Sequence, residues 1–195
     1  MKLIRAAVLV TVALAVTLTP TSAFAQRYTH HDITGDVLSG PADSDANPST
    51  PDDRANGDVV WSTVIHKRHR VVMKMQLRDI AWNDETNLYG FIIKTKSMKR
   101  IVTVFASEGI RGGKTLMTKP SGKRVACHIS RKIDYTANNV TVSVPRSCLG
   151  TPRWVKVGMA TVFLNGFASG DTEWVDDANS STLGSNPVLG PKVRR

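Results

Sequence analysis

The segment that most restricts the fold of this chain is RVACHISRKIDYTANNVTVSVPRSC, residues 124–148. In its first half Val125, Cys127, Ile129, Ile133 and Tyr135 alternate with Ala126, His128, Ser130, Lys132 and Asp134. In its second half Val140, Val142 and Val144 alternate with Thr141 and Ser143. A period of two marks a strand with one face in the core, because successive side chains point to opposite faces of a sheet. Folding the segment about Ala137 and Asn138 sets Tyr135 opposite Val140 and Ile133 opposite Val142. Extended outward past Pro145, the same register brings Cys127 opposite Cys148. Arg131 is the one misfit on the apolar face. A disulfide between these cysteines, the only two in the chain, would contribute about 3 kcal/mol by restricting the unfolded state.

Further runs rich in Val, Ile, Thr and aromatics lie at 58–65, 70–80, 88–96, 100–106, 115–119, 154–164 and 172–175. Turn residues separate them, and no stretch keeps a helical period over three turns. Many short strands at such spacing predict an all-β chain, a single-domain antiparallel β-sandwich of jelly-roll or immunoglobulin-like type. Asn165-Gly166 reads as a two-residue hairpin turn, since both residues tolerate positive φ. Residues 57–177 are expected to form the sandwich. Residues 26–56, broken by Pro48 and Pro51, read as a polar and partly disordered segment, and 178–195 as a flexible tail.

Residues 1–25 have the composition of an export signal. Lys2 and Arg5 precede the apolar run 6–18, and Ala-Phe-Ala at 23–25 supplies the small residues of a cleavage site. The run is shorter than the roughly 18 residues of a membrane span, and no other stretch reaches that length. A secreted, monomeric protein is expected, and an oxidising compartment makes the disulfide the default state of Cys127 and Cys148.

Four segments carry a resemblance: ITGDV (33–37), VIHKRHRVVMKMQLRDI (64–80), CHISRKIDY (127–135) and VTVSVPRSCLGTPRWVKVGMA (140–160). They resemble a family of small exported β-sandwich proteins of actinobacteria, of unknown function, with Arg78-Asp79-Ile80 where that family has Arg-Asp-Leu. The likeness spans most of residues 32–163. It implies the sandwich and export, and carries over no catalytic residue.

Candidate chemistry is sparse. His66 and His69 have the spacing of a ligand pair, but they fall on the tip of a hairpin, where they are expected to be exposed and non-ligating. Whether that hairpin has a five-residue loop, 66–70, or a four-residue loop is open. GIRGGKT (109–115) has three residues between Gly109 and Gly113 where a phosphate-binding loop needs four, so it reads as a turn. There is no G-x-S-x-G and no H-E-x-x-H, and the chain is not expected to be an enzyme. Asp32, Asp36, Asp43, Asp45, Asp52, Asp53 and Asp58 gather before the first strong strand. They lack the regular spacing of an EF-hand loop and read as a solvated linker, with calcium as a weaker alternative and no cofactor otherwise. Gly-Asp pairs at 35–36, 57–58 and 170–171 read as ordinary turns. Trp61 and Trp154 are expected in the core, Trp82 and Trp174 on the surface.

The net charge is +10, or +8 without Lys2 and Arg5. Such a charge favours polyanions through long-range attraction. Lys67, Arg68 and Arg70 are the leading candidates for contact with an anionic wall polymer or polysaccharide. No base-reading motif is present, so no specific nucleic acid is expected. The expected function is that of a non-catalytic binding module with a basic surface. The alternatives are a divergent extracellular hydrolase, which needs His66 or His69 beside a carboxylate and a hydroxyl, and a protein-interaction or inhibitory module.

Overall fold

The computed structural model describes residues 26–44, 46–81, 85–166 and 170–195. The export segment, Asp45 and Trp82 lie outside the described residues. In chain order the strands are β1 (Gln26–His31), β2 (Val37–Pro41), β3 (Thr50–Asp52), β4 (Val59–His66), β5 (Arg70–Leu77), β6 (Thr86–Lys94) and β7 (Lys99–Ala106). There follow β8 (Lys114–Thr118), β9 (Ser130–Asp134), β10 (Asn139–Pro145), a 3-10 turn at Arg146–Leu149, β11 (Trp154–Leu164), β12 (Thr172–Asp177) and β13 (Val193–Arg194). They build two antiparallel sheets. The five-stranded sheet has the order β1-β4-β5-β10-β9. The eight-stranded sheet has the order β3-β2-β12-β11-β6-β7-β8, with β13 added beside the start of β11. The chain is a β-sandwich, as its alternating runs predict.

The core lies between the sheets. Val71, Met73, Met75 and Leu77 of β5 meet Val140, Val142 and Val144 of β10 on one inner face, all buried. Tyr89, Phe91 and Ile93 of β6 with Val102 and Val104 of β7 form the facing layer. Each set occupies every second position of its strand, so alternation alone fixes which face turns inward.

The predicted hairpin is present with its turn moved one residue earlier. Ile133 pairs with Val140 and Arg131 with Val142. Asp134 accepts the Ala137 N–H at 3.0 Å, and Asn138 takes a left-handed φ of 48°. These local bonds close the turn over residues 135–138. Each partner moves by two positions, which preserves the buried face. The Cys127–Cys148 disulfide is formed, with Cα atoms 6.0 Å apart, but the ladder ends at Ser130 and Ser143. The bond ties the irregular run 125–129 to the 3-10 turn rather than crossing between paired strands.

Three other expectations change. The hairpin of β4 and β5 adopts the four-residue loop, pairing His66 with Val71 and Trp61 with Gln76. That phase turns Ser62, Val64 and His66 inward, so His66 is buried and Trp61 half-buried on the outer face. Asn165-Gly166 is not a two-residue turn: β11 ends at Leu164, β12 starts at Thr172, and Asn165 Oδ1 accepts the Thr172 N–H at 2.7 Å.

Both terminal segments carry structure. Residues 26–56 hold three strands, and β1 pairs along the whole of its length with β4. Residues 184–190 pack onto the outer face of β11, and β13 pairs beside its start. A Cβ at Gly158 would lie 2.8 Å from the Pro187 carbonyl oxygen, and the Gly190 N–H reaches Val157 O at 2.9 Å. Small residues at 158 and 160 make β11 burial two-sided and give this polar segment its seat. Polarity hid this because few apolar side chains anchor the two segments, chiefly Val37, Ala178 and Val193, and backbone hydrogen bonds supply much of the rest.

Candidate functional site

Positive charge gathers at the end of the sandwich where β4 turns into β5. One cleft of about 480 Å³ is lined by Arg146, Arg153, Trp154, Arg194 and Arg195. A second, of about 390 Å³, shares Arg146 and Arg195 and adds Arg68, His69, Ser147 and Thr151. A third, of about 340 Å³, shares Arg153 and Trp154 and reaches Lys96. Their linings hold five arginines, a histidine and a lysine and no carboxylate side chain. Among the described residues no ion pair joins any of these arginines to a carboxylate.

Local sequence explains the cluster. The 3-10 turn after Pro145 ends in Gly150 at φ 70° and Thr151 at φ 48°, which reverses the chain toward β11. Arg146 is buried in that reversal. Its Nη1 donates to Arg68 O at 2.8 Å, and its Nη2 donates to Thr151 O and Pro152 O at 3.1 and 2.5 Å. Its Nε has no partner. Burial and the neighbouring Arg195 both lower its pKa. It is therefore a cation held by carbonyl dipoles, with no ion-pair partner among the described residues. β13 brings Arg194 alongside by pairing with Trp154.

The candidate contacts at the hairpin tip separate. Arg68 is exposed and lines a cleft; Lys67 is exposed at the tip. Arg70 lies flat on the five-stranded sheet, donating to Ser143 Oγ at 2.5 Å, Ser143 O at 2.6 Å and Ser130 Oγ at 3.0 Å. Arg146, Arg153, Arg194 and Arg195 were not candidates from sequence. The only local signal for the last two is Val-Arg-Arg at the end of a segment read as a tail.

His66 sits in the core, with Nδ1 3.1 Å from Val193 O and Nε2 unpartnered. Burial, its largest influence, lowers its pKa. It meets a carbonyl, not the carboxylate that the hydrolase alternative requires. The three tryptophans among the described residues are engaged by cations: Lys74 over Trp61, Lys192 over Trp154 and Arg54 over Trp174, at 4.9, 4.8 and 4.1 Å from the rings. Trp61 and Trp154 are thus half-buried outer-face residues rather than core. GIRGGKT joins β7 to β8 as a turn, with Gly109 and Gly113 at positive φ.

At the other end of β4 the sign reverses. Asp36, Asp58 and Asp176 present carboxylate oxygens that lie within 4.8 Å of one another. Asp58 Oδ2 accepts the Gly35 N–H and Arg78 Nη1, both at 2.8 Å; Asp176 Oδ2 accepts the Val59 N–H at 2.6 Å. The remaining oxygens, Asp58 Oδ1, Asp176 Oδ1 and both of Asp36, are buried and accept nothing. Asp32 and Asp177 stand close enough to interact. Burial first, then neighbouring carboxylates, pushes Asp176 up to about 8 and Asp32 up to about 7. Burial likewise pushes Asp177 up to about 6. Two unit charges at such a separation repel by roughly 3 kcal/mol at an effective dielectric near 20.

Two of the three Gly-Asp pairs, 35–36 and 57–58, converge here from separate turns, while Asp171 of the third lies against Gly166. The linker reading of Asp32, Asp36 and Asp58 is thus corrected: they are partly or wholly buried. Asp52 and Asp53 instead bind Trp174 Nε1 and Arg78. Asp176 was not a candidate; two consecutive acids ending a strand, one of which must face inward, are the signal for it.

Comparison of the chain with protein-family models, curated proteins and solved structures finds no match. No helix among the described residues is long and apolar enough to cross a membrane.

Proposed function

We propose that this chain is an exported, non-catalytic binding module whose arginine clefts hold an anionic extracellular or cell-envelope polymer. One observation carries the reading: five arginines line two adjoining clefts without a neutralising carboxylate side chain. Like charges held together raise one another's energy, and a polyanion relieves that repulsion along its length. Guanidinium groups also pair with carboxylate and phosphate through two parallel hydrogen bonds. The export segment, the disulfide and the family resemblance support an extracellular setting. Large exposed apolar residues among those described are Ile33, Leu116 and Val188, in separate parts of the chain.

The test is affinity for a polycarboxylate, polygalacturonate, and a polyphosphate, measured by calorimetry at 50 mM and 300 mM NaCl. Binding is expected at low salt and strong weakening at high salt. Arg153→Glu/Arg195→Glu should lower affinity about tenfold, equivalent to roughly 1.4 kcal/mol. Lys119→Glu/Lys123→Glu makes the same charge change at the turn after β8 and should lower it much less. Equal losses in the two variants, or no binding at 50 mM NaCl, would overturn the assignment.

A further inference from the structure

The carboxylate cluster has no place in polyanion binding, and its geometry asks for a counter-charge. We propose that Asp36, Asp58 and Asp176 form a binding site for a hard divalent cation, calcium in the first place.

The donor set is all carboxylate oxygen, the chemistry that calcium and magnesium prefer and softer metals do not. Two oxygens sharing one calcium at 2.3–2.6 Å can be no more than about 5 Å apart, and these oxygens lie within 4.8 Å of one another. The independent sign is the state of the oxygens. Asp58 is 0% and Asp176 1% exposed, yet each of these clustered carboxylates keeps one buried oxygen, Oδ1, with no hydrogen-bond partner. Asp36 contributes two more. Buried acceptors without donors are rare because each forfeits its hydration, and four on three neighbouring carboxylates share a single remedy in a cation. The second oxygens of Asp58 and Asp176 are already fixed by the N–H groups of Gly35 and Val59. The free oxygens are thereby pre-oriented, as the outer partners of metal ligands generally are.

Arg78 does not fill this role. It binds Asp58 Oδ2 and is shared with Asp53, and among the described residues no ion pair reaches Asp36, Asp176 or Asp32. Three loops meet at the cluster: the turn between β1 and β2, the approach to β4 and the end of β12. An ion would therefore clamp strands of both sheets.

The test is thermal unfolding of the mature chain at pH 7.5 after chelation, with CaCl2 or MgCl2 added at matched ionic strength. Extracellular calcium modules bind at roughly 0.1–1 mM, so 10 mM calcium should raise Tm by roughly 3–10 °C. Asp36→Asn removes one charge from a crowded cluster and should fold at least as well as wild type in chelator. It should lose most of the calcium response, and Asp176→Asn should lose it too. No calcium shift in wild type overturns the site. So does a shift that persists unchanged in Asp36→Asn, or one that magnesium and calcium give equally in wild type and in both variants, since that is general screening.

Discussion

Replacing both Cys127 and Cys148 with serine is expected to remove about 3 kcal/mol of stability. The bond joins residues separated by 21 positions, and closing a loop of that size in the unfolded chain accounts for nearly all of the figure. Packing adds little, because both cysteines are only half-buried at the edge of the core and serine leaves no sealed cavity. For a domain of this size each kcal/mol moves Tm by about 2–4 °C, so the melting point should fall by roughly 6–12 °C. Guanidinium unfolding should show a lower midpoint and a larger m-value, since the uncrosslinked chain exposes more surface on unfolding. Wild type melted in excess reductant should reproduce the variant. A loss under about 1 kcal/mol, or one that reductant fails to reproduce, would refute the loop-entropy argument. The bond also anchors the 3-10 turn that carries Arg146, so the variant should bind polygalacturonate more weakly at temperatures where it remains folded.

Three further outcomes follow from buried groups. In chelator, Asp176, Asp32 and Asp177 have folded pKa values of about 8, 7 and 6 against an unfolded value near 3.9. The folded chain then binds more protons between pH 8 and 4, so Tm should rise as pH falls through that window; Asp36, Asp58 and Arg78 face the same cluster, and a flat profile would contradict it. His66 has the opposite sign: its folded pKa lies below the unfolded 6.5, so its neutral form stabilises the fold above pH 6.5 and that contribution is lost below it. The difference in Tm between wild type and His66→Gln should change as pH falls past about 6.5, in favour of the variant. Gly57→Ala sets a Cβ 2.9 Å from the Phe163 ring at a φ of 97° and should cost about 3 kcal/mol in denaturant unfolding; Gly109→Ala, with open space around it, should cost about 1 kcal/mol.

Period-two patterning made the sandwich legible. Val71, Met73, Met75 and Leu77 name their own face, and a register error of two residues in the hairpin of β9 and β10 left that face intact. What alternation does not encode is phase across a loop. One residue of difference in the β4–β5 loop sent His66 inward and Trp61 outward. The terminal strands were illegible for a different reason: β1 and β13 each offer the core a single apolar side chain, Tyr28 and Val193, and are otherwise held by main-chain pairing and by His66 reaching Val193 O, little of which marks composition. Both sites are tertiary. Arg146 and Arg153 meet Arg68, Arg194 and Arg195 only in the folded chain, and Asp36, Asp58 and Asp176 are joined only when turns 22 and 118 residues apart converge.

The two sites lie at opposite ends of β4, with Asp58 just before the strand and Lys67 just after it. Eight residues of strand at about 3.3 Å each separate them by roughly 26 Å. At 0.15 M salt the Debye length is about 8 Å, so charge at one end is screened from the other. Calcium bound at the cluster would change the local charge by two without reaching the clefts electrostatically. The remaining route of coupling is mechanical, through the order of β13, which carries Arg194 and leads into Arg195. Well below Tm that route is closed, because the core between the sites is packed in either state. Polygalacturonate affinity at 0.15 M ionic strength and 25 °C should therefore respond to 5 mM calcium equally in wild type and Asp36→Asn, any common change reflecting calcium on the polymer itself. Near the melting temperature of the calcium-free protein the two should diverge, wild type retaining binding that the variant loses. A calcium-dependent difference already present at 25 °C would mean that the cluster and the clefts form one functional unit, with calcium setting the position of the arginines.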